Sequence, residues 1–376
     1  MNIRVEEFDV IKKKLNQNNK QIIVFGAGMI GTVTILEMLM QWGIDDKIAF
    51  YVDNDKSKWN TKIKKNKREY KIYPVEKLKE INPQEHIILL STSRFSDTLN
   101  QLNEMDNLKN IDCYIMPMLC IENFQSHKEN IVSKTNKEPV IPKRINYMWL
   151  GGKNLPTTLQ RCVDSWKRFC PDYEIVRYDE NNYNVDQIPY MKDAYQRKAY
   201  GFVPDYARID ILFHHGGIYL DTDVELVKPL DDMLFQDGFC CVEKWQTVNF
   251  GGGSGAKPGL EILGELLEYR RCIPFILENG NENRNTCGFY DTVFFIDKGY
   301  QLNGQVQNIQ GMNIYPSEVF HPYDYMSGRI ERTNNTFGIH HFNGGWLDKR
   351  QENANILTKK MYDDILRKAK RNERMI

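Results

Sequence analysis

The sequence predicts an α/β protein of two domains, the first built on a doubly wound, parallel sheet of Rossmann-like type. Three observations carry this. The chain has 376 residues, more than one hydrophobic core normally organises. Short apolar runs alternate with helix-length segments over 21–116, the pattern that βαβ units produce. The alternation then dissolves into QSHKENIVSKTNKEPVIPK at 125–143, polar and charged with prolines near its end, as a linker is. The expected boundaries are a first domain at 1–125, a linker at 126–140 and a second domain at 141–376 that includes the last helix.

Within the first domain, QIIVF (21–25) reads as a buried strand and GAGMIG (26–31) as a glycine loop opening a helix over 32–42. Gly26, Gly28 and Gly31 satisfy G-x-G-x-x-G. A loop of this kind lets the backbone approach a pyrophosphate, and the helix N-terminus behind it favours anions. KIAFYVD (47–53) is a second strand ending on Asp53, where a ribose-binding acid would stand. A Lys/Asn-rich loop follows at 60–68, then a helix near 75–81, a third strand HIILLS (86–91) and a fourth, NIDCYIM (110–116). Gly26, Gly28, Gly31 and Asp53 are thus a candidate nucleotide site; the alternative is that the glycines serve only close packing of helix on strand. Tyr73 and Lys77 have the Y-x-x-x-K spacing of a reductase, but Pro74 between them makes the match a coincidence.

Composition narrows the function. Lys+Arg and Asp+Glu both total 50, so no global field recruits nucleic acid. The eight cysteines include no C-x-x-C pair, which argues against a zinc framework or a disulfide scaffold and for reduced thiols. MNIRVEEFDV lacks an apolar signal core and no apolar run reaches membrane-spanning length, so the expected location is the cytoplasm. The last segment, 356–376, places Leu357, Met361 and Ile365 on one helical face before a basic end with Arg367, Lys368, Lys370, Arg371 and Arg374. It reads as a packed helix with a solvated end; the other reading is a patch making peripheral contact with a membrane. A homo-oligomer is compatible with the sequence.

The second half carries the chemistry. In GGIYLDTDVE (216–225) an apolar strand runs straight into Asp221 and Asp223. Residues two apart on a strand share a face, so these carboxylates repel unless a cation stands between them. Carboxylate oxygens suit hard cations such as Mg²⁺ or Mn²⁺. In RINYMWLGG (144–152) a strand delivers Trp149 to its C-terminal end beside Gly151, where open α/β sheets bind ligands and an indole can stack on a base. Asp205 and Arg208 of DYAR lie three apart, on one face of a helix that runs to Gly216.

Four segments in order, IPKRINYMWLGG (141–152), DYAR through GGIYLDTDVE (205–225), NFGGGSGAKPG (249–259) and IHHFNGGW (339–346), resemble the family 32 glycosyltransferases and the glucosyltransferase domains of large bacterial glucosylating toxins. The resemblance implies a GT-A fold, a UDP- or GDP-hexose donor, a divalent cation (Mn²⁺ or Mg²⁺) and retention of anomeric configuration. It implies that Trp149 stacks on the base near Gly151 and that Asp205 and Arg208 bind the donor sugar. Asp223 coordinates the metal, and Asp221 contacts ribose, sugar or metal, so that Asp221, Asp223 and Arg208 carry the catalytic work. A C-terminal lid supplies Trp346 near the leaving phosphate and a third metal ligand from His341 or Asn343. This sequence has Gly345 where the family has Ser, which removes one candidate ligand. The glycine-rich turn at 249–259 reads as flexible, and NTCGFYDTVF (285–294) departs from the family's Thr-Gly-Pro, leaving Asp291 as a weak acceptor-site candidate. The acceptor implied is a glycan or lipid-linked oligosaccharide, as in bacterial capsule or exopolysaccharide synthesis. The competing readings are an NAD(P)-dependent sugar oxidoreductase or epimerase centred on the glycine loop, a D-x-D phosphohydrolase and a non-catalytic sugar-binding module.

Overall fold

The computed structural model describes the chain except residues 18, 94, 125, 344–348 and 374–376, and the side chains of 349–352 and 370–373. It divides into two compact units, one of residues 1–125, 324–329 and 347–376, the other of 126–323 and 330–346. Both are α/β. No helix among the described residues is long and apolar enough to cross a membrane.

The first unit runs β1 (Asn2–Arg4), α1 (Phe8–Gln17), β2 (Gln21–Phe25), α2 (Leu36–Gln41), β3 (Ile48–Val52), β4 (Lys62–Lys65), β5 (Arg68–Tyr73), β6 (His86–Leu90), α3 (Phe95–Asn103), β7 (Asp112–Ile115) and α4 (Met116–Asn123). Its sheet has the order β1-β7-β6-β2-β3-β5-β4. Every neighbouring pair is parallel except β4 with β5. The central strands are unbroken apolar runs, with Ile22, Ile23 and Val24 fully buried, as helices on both faces of a parallel sheet require. The chain steps from β2 outward through β3 to β5, then returns to β6 on the other side of β2. The glycine loop leaves β2 at that switch point, where doubly wound sheets open a crevice. A π-helical stretch, Ile30–Ile35, precedes α2.

Two expectations for this unit are corrected. The Lys/Asn-rich segment is not a loop: β4 and β5 form a hairpin turned at Asn66 and Lys67, both with positive φ. Tyr70 and Ile72 point inward with period two, a signal diluted by the lysines around them. The C-terminal helix, α10 (Lys349–Glu373), belongs to this unit rather than to the second. It buries Thr358, Tyr362, Ile365 and Leu366, the last three in one core with Leu99, Met118 and Met326, while Leu357 is 39% exposed. The buried face is rotated from the expected one because polar groups take part in it. Thr358 bonds Ser96, and the Tyr362 hydroxyl donates to Glu122 at 2.7 Å. Apolar periodicity does not count such contacts.

The second unit contains β8 (Arg144–Met148), α5 (Thr157–Phe169), β9 (Glu174–Tyr178), α6 (Pro189–Gln196), α7 (Pro204–His215), β10 (Gly217–Tyr219), β11 (Val224–Leu226), β12 (Gly238–Val242), β13 (Val248–Asn249), β14 (Ser254–Ala256), α8 (Glu261–Arg271), α9 (Cys287–Asp297), β15 (Gln307–Ile309), β16 (Met312–Tyr315) and β17 (Gly338–His340). Its main sheet is mixed, in the order β15-β16-β12-β14-β10-β8-β9. Strands β9, β8 and β10 are parallel, whereas β14 is antiparallel to both β10 and β12. A second, two-stranded sheet pairs β11 with β17. Trp166, Ile218, Leu220, Phe239 and Phe320 share the core. The expected linker has no helix or strand, yet it is fastened along this unit: Ser133 N donates to the Tyr315 hydroxyl, and Asn136 N to Phe235 O at 2.8 Å.

Candidate active site

The site is assembled where β8 and β10 end side by side. The strand β10 stops at Tyr219, so Asp221 and Asp223 fall in the turn before β11, closed by Val224 N donating to Asp221 O at 3.0 Å. The strand argument for a shared face therefore does not hold. Each carboxylate instead has its own cation. Asp221 Oδ1 lies 3.4 Å from Arg208 Nη2, and Asp223 Oδ1 lies 3.2 Å from His340 Nε2.

The helix α7 supplies the first cation. Proline at its start and Gly216 at its C-cap, φ +66°, define its ends, and the i, i+3 spacing puts Asp205 beside Arg208. Asp205 Oδ1 is 3.3 Å from Arg208 Nη2, and both residues are buried. The guanidinium also donates from Nη1 to Cys287 Sγ at 3.4 Å. Burial opposes its charge, but Asp221, Cys287 and Asp205 hold it firmly protonated. Desolvation raises the Asp205 carboxyl, against the pull of Arg208 and Arg270. A surface pair of this kind would be worth little; this one is closed off from water.

The antiparallel pair of β11 with β17 supplies the second cation. It carries His340 opposite Val224. Asp223 also accepts from Asn343 N at 3.0 Å. Burial works against its ionisation, yet His340 and that backbone donor keep it well below the usual carboxylate range. Burial lowers the His340 pKa, but the charge of Asp223 and its hydrogen bond outweigh this and raise it. Its neighbour His321, sealed in the interior and repelled by His340, is driven well below the ordinary histidine value. The His340 ring stacks on Phe342 at 4.1 Å.

The glycine run after β13 completes the pocket. Asn249 Oδ1 accepts from both Gly251 N (2.8 Å) and Gly252 N (3.0 Å), and Asp221 N donates to Gly251 O at 2.7 Å. The turn expected to be flexible is thus pinned against the carboxylates. A Cβ on Gly251 would lie 2.1 Å from Asp221 Oδ2 and 2.6 Å from Arg208 Nη1; one on Gly252 would lie 2.0 Å from His321 Nε2. Glycine is required by contact here.

The family described as the glycosyltransferase sugar-binding region containing a DXD motif matches residues 156–240, the stretch that contributes Asp205, Arg208, Asp221 and Asp223. The chain is a glycosyltransferase, and this stretch of its second unit is similar to the DXD-containing sugar-binding region of that class. An uncharacterized glycosyltransferase of Acanthamoeba polyphaga mimivirus is 26% identical over 215 residues, covering 52% of this chain and 82% of that protein. Inositol phosphoceramide mannosyltransferase 1 of Schizosaccharomyces pombe is 28% identical over 110 residues, 26% of this chain and 33% of its own. The initiation-specific alpha-1,6-mannosyltransferase of Saccharomyces cerevisiae is 29% identical over 112 residues, 26% of this chain and 22% of its own. The chain therefore spans most of the viral protein but a third or less of the two fungal ones.

Other residues singled out from sequence have partners of their own. Trp149, half-buried at the end of β8, donates from Nε1 to Lys153 O at 2.7 Å and through its backbone N to Tyr178 O. Gly151 has φ +88° and donates to Glu180 Oε1, and a Cβ there would meet the Tyr200 ring at 2.8 Å. Of the two histidines, it is His340 that faces Asp223, whereas the His341 ring turns to Glu225 at 3.0 Å. Alternation along β17 sends neighbouring side chains to opposite faces. Asn343 reaches Asp223 through its backbone. Trp346 lies outside the described residues. Among the described residues no group of three His, Cys, Asp or Glu is gathered to hold a metal. Carboxylate oxygens such as those of Asp221 and Asp223 suit a hard cation. Sequence reasoning missed His340, Gly251 and Gly252; the HH and GGG runs were visible, but not which member touches a carboxylate.

The glycine loop of the first unit has its own geometry. Ala27 N donates to Asp53 Oδ2 at 2.6 Å, Asp55 N to Asp53 Oδ1 at 2.8 Å, and Lys58 Nζ pairs with Oδ2 at 3.2 Å. Asp53 is thus engaged by the loop and its neighbours rather than standing free as a ribose acceptor. The Ser91 hydroxyl donates to Phe25 O and Gly26 O, and a Cβ on Gly31 would lie 2.0 Å from Gly26 O. Gly26 and Gly31 let helix and strand approach; the position of Gly28 is open. Lys77, the partner proposed for Tyr73 by spacing, lies over the Tyr73 ring rather than at its hydroxyl and pairs with Glu80.

Proposed function

We propose that the glycosyltransferase domain moves a hexosyl group from a UDP- or GDP-linked donor to a hydroxyl of a glycan or lipid-linked acceptor, with retention at the anomeric carbon, in the synthesis of a capsule or exopolysaccharide. The observation that carries this is the Arg208 guanidinium fixed between Asp205 and Asp221 at the D-x-D turn. A planar cation held by carboxylates suits the recognition of sugar hydroxyls. Asp223, with Asp221, would hold Mn²⁺ or Mg²⁺; Asn343 is the better-placed third donor because its backbone already meets Asp223. When bound, such a cation neutralises the charge of the departing nucleoside diphosphate. Asp205 and Arg208 orient the sugar, and Trp149 offers a stacking face to the base. Attack on the donor face needs no protein nucleophile, and none is assigned. A relative named for a phosphoceramide acceptor supports a lipid-linked substrate.

The test is a screen of UDP-glucose, UDP-galactose and GDP-mannose for slow donor hydrolysis with Mn²⁺, before and after chelation, in wild type and Asp223→Ala. Metal-dependent release of nucleoside diphosphate that disappears in the variant is expected. Undiminished hydrolysis in Asp223→Ala sinks the assignment.

A further inference from the structure

Behind the Asp205–Arg208 pair the charges continue inward. Arg270 on α8 and Asp291 on α9 are 2% and 0% exposed, and Arg270 Nε stands 3.9 Å from Asp291 Oδ1. That is a charge contact too long for a hydrogen bond. Neither oxygen of Asp291 meets a protein donor, and Arg270 Nη1 and Arg208 Nε meet no protein acceptor. The hydroxyl of Tyr190 donates to Asp205 Oδ2 at 3.3 Å, and its ring lies against the Arg270 guanidinium at 5.6 Å. Asp205 and Asp291 both favour the charge on Arg270. The signs therefore alternate from Asp291 through Arg270, Asp205 and Arg208 to Asp221, whose side chain is 28% exposed.

An alternating row of buried charges is a costly way to stabilise a fold, since apolar residues of similar volume commonly do as well or better. It is an effective way to orient its members. Arg208 Nη2 has one carboxylate oxygen of Asp205 at 3.3 Å and one of Asp221 at 3.4 Å. Without a charge behind Asp205, that carboxylate and its arginine are free to shift toward the open D-x-D end. Asp291 sits on a part of α9 that is itself tied down, because the adjacent Thr292 hydroxyl accepts from Val248 N at 2.9 Å.

We propose that Asp291 and Arg270 are positioning residues for the donor-sugar pocket, holding Asp205 and Arg208 in the orientation that receives the sugar. This rests on the donor-site reading above. It separates the sugar half of the donor from the nucleotide half, since the diphosphate and base are received by the D-x-D turn and Trp149, at the other end of the row.

The experiment titrates GDP-mannose and UDP-glucose, each beside GDP and UDP, into the full chain with Mn²⁺ present at a pH of about 8, where the Asp291 carboxylate is ionised. Wild type is compared with Asp291→Asn, which keeps the volume and removes the charge. Affinity for the sugar nucleotide that wild type binds should fall about tenfold, a coupling usual for residues in one ionic network, with the matching nucleoside diphosphate unchanged. Equal weakening of both overturns the proposal in favour of a general structural role, and no change in either overturns it outright. If Asp291→Asn fails to fold, the same titration on Arg270→Lys applies, with the same expected and overturning results. A wild-type protein that binds the nucleoside diphosphates but neither sugar nucleotide removes the donor-site reading itself, a failure visible before any variant is made.

Discussion

Replacing Gly251 by alanine adds one methyl group at the point where the glycine turn presses on Asp221 and Arg208. The added Cβ would stand 2.1 Å from Asp221 Oδ2 and 2.6 Å from Arg208 Nη1, more than an ångström short of an ordinary carbon–oxygen contact. The turn cannot retreat freely, because Asn249 grips two of its N–H groups and Asp221 N donates to its carbonyl. The side chains must give way instead, and the Asp221–Arg208 contact at 3.4 Å is the one that opens. Misplacing a catalytic constellation by about 1 Å can cost on the order of 100-fold in rate, so kcat/KM for transfer or donor hydrolysis should fall by about that factor. Overpacking costs roughly 1–3 kcal/mol, which a domain of ordinary stability survives, so the thermal midpoint should drop by several degrees with the fold retained. Gly201→Ala, at a position with nothing within 4 Å of its would-be Cβ, is the control and should behave as wild type. A Gly251→Ala enzyme within threefold of wild type in kcat/KM, measured with Mn²⁺ on the donor found by the screen, would refute the claim that this contact sets the site.

Three further outcomes are expected. His340→Ala leaves the half-buried Asp223 without its charged partner though still bonded to Asn343 N, at a cost of about 1–3 kcal/mol, readable as a lowered denaturation midpoint. Burial pushes the Asp291 carboxyl up to about 7, with Arg270 pulling the other way, so the folded state holds this proton more tightly than the unfolded chain. Its contribution to stability is then complete below the unfolded value of about 4 and is lost as pH rises through about 7; urea midpoints should fall across that window and the slope should flatten in Asp291→Asn. Tyr362→Ala empties a site in the core of the first unit at a cost of about 3–5 kcal/mol. Differential scanning calorimetry should show this as an earlier transition, with donor hydrolysis at temperatures below it unchanged.

The strands at 21–25, 86–90 and 112–115, the buried runs of a parallel sheet, were legible because apolar runs bounded by glycine and polar turns have few alternatives. So were the α7 face that pairs Asp205 with Arg208 and the presence of two carboxylates after an apolar strand, since both depend on spacings of two to four residues. The β4–β5 hairpin was not, because its inward residues alternate with lysines that dominate the composition. The unit joined by the C-terminal helix was not legible either: a helix advertises an apolar face, but not which core receives it, and its buried Thr358 and Tyr362 count as polar in any periodicity.

By itself, then, the sequence determined which chemical groups this protein brings to its site and the order in which they occur. Only the tertiary structure decided how they are shared out. It gave Asp221 to Arg208 and Asp223 to His340, turned His341 away to Glu225, and set Arg270, which no local motif marks, beside Asp291, which is sealed in the interior rather than open to an acceptor. The reason is physical. Local spacing governs neighbours along one helix or strand, whereas the field at a buried carboxylate comes from cations on other elements, brought near by the packing of α7, α8, α9 and the long-range pairing of β11 with β17.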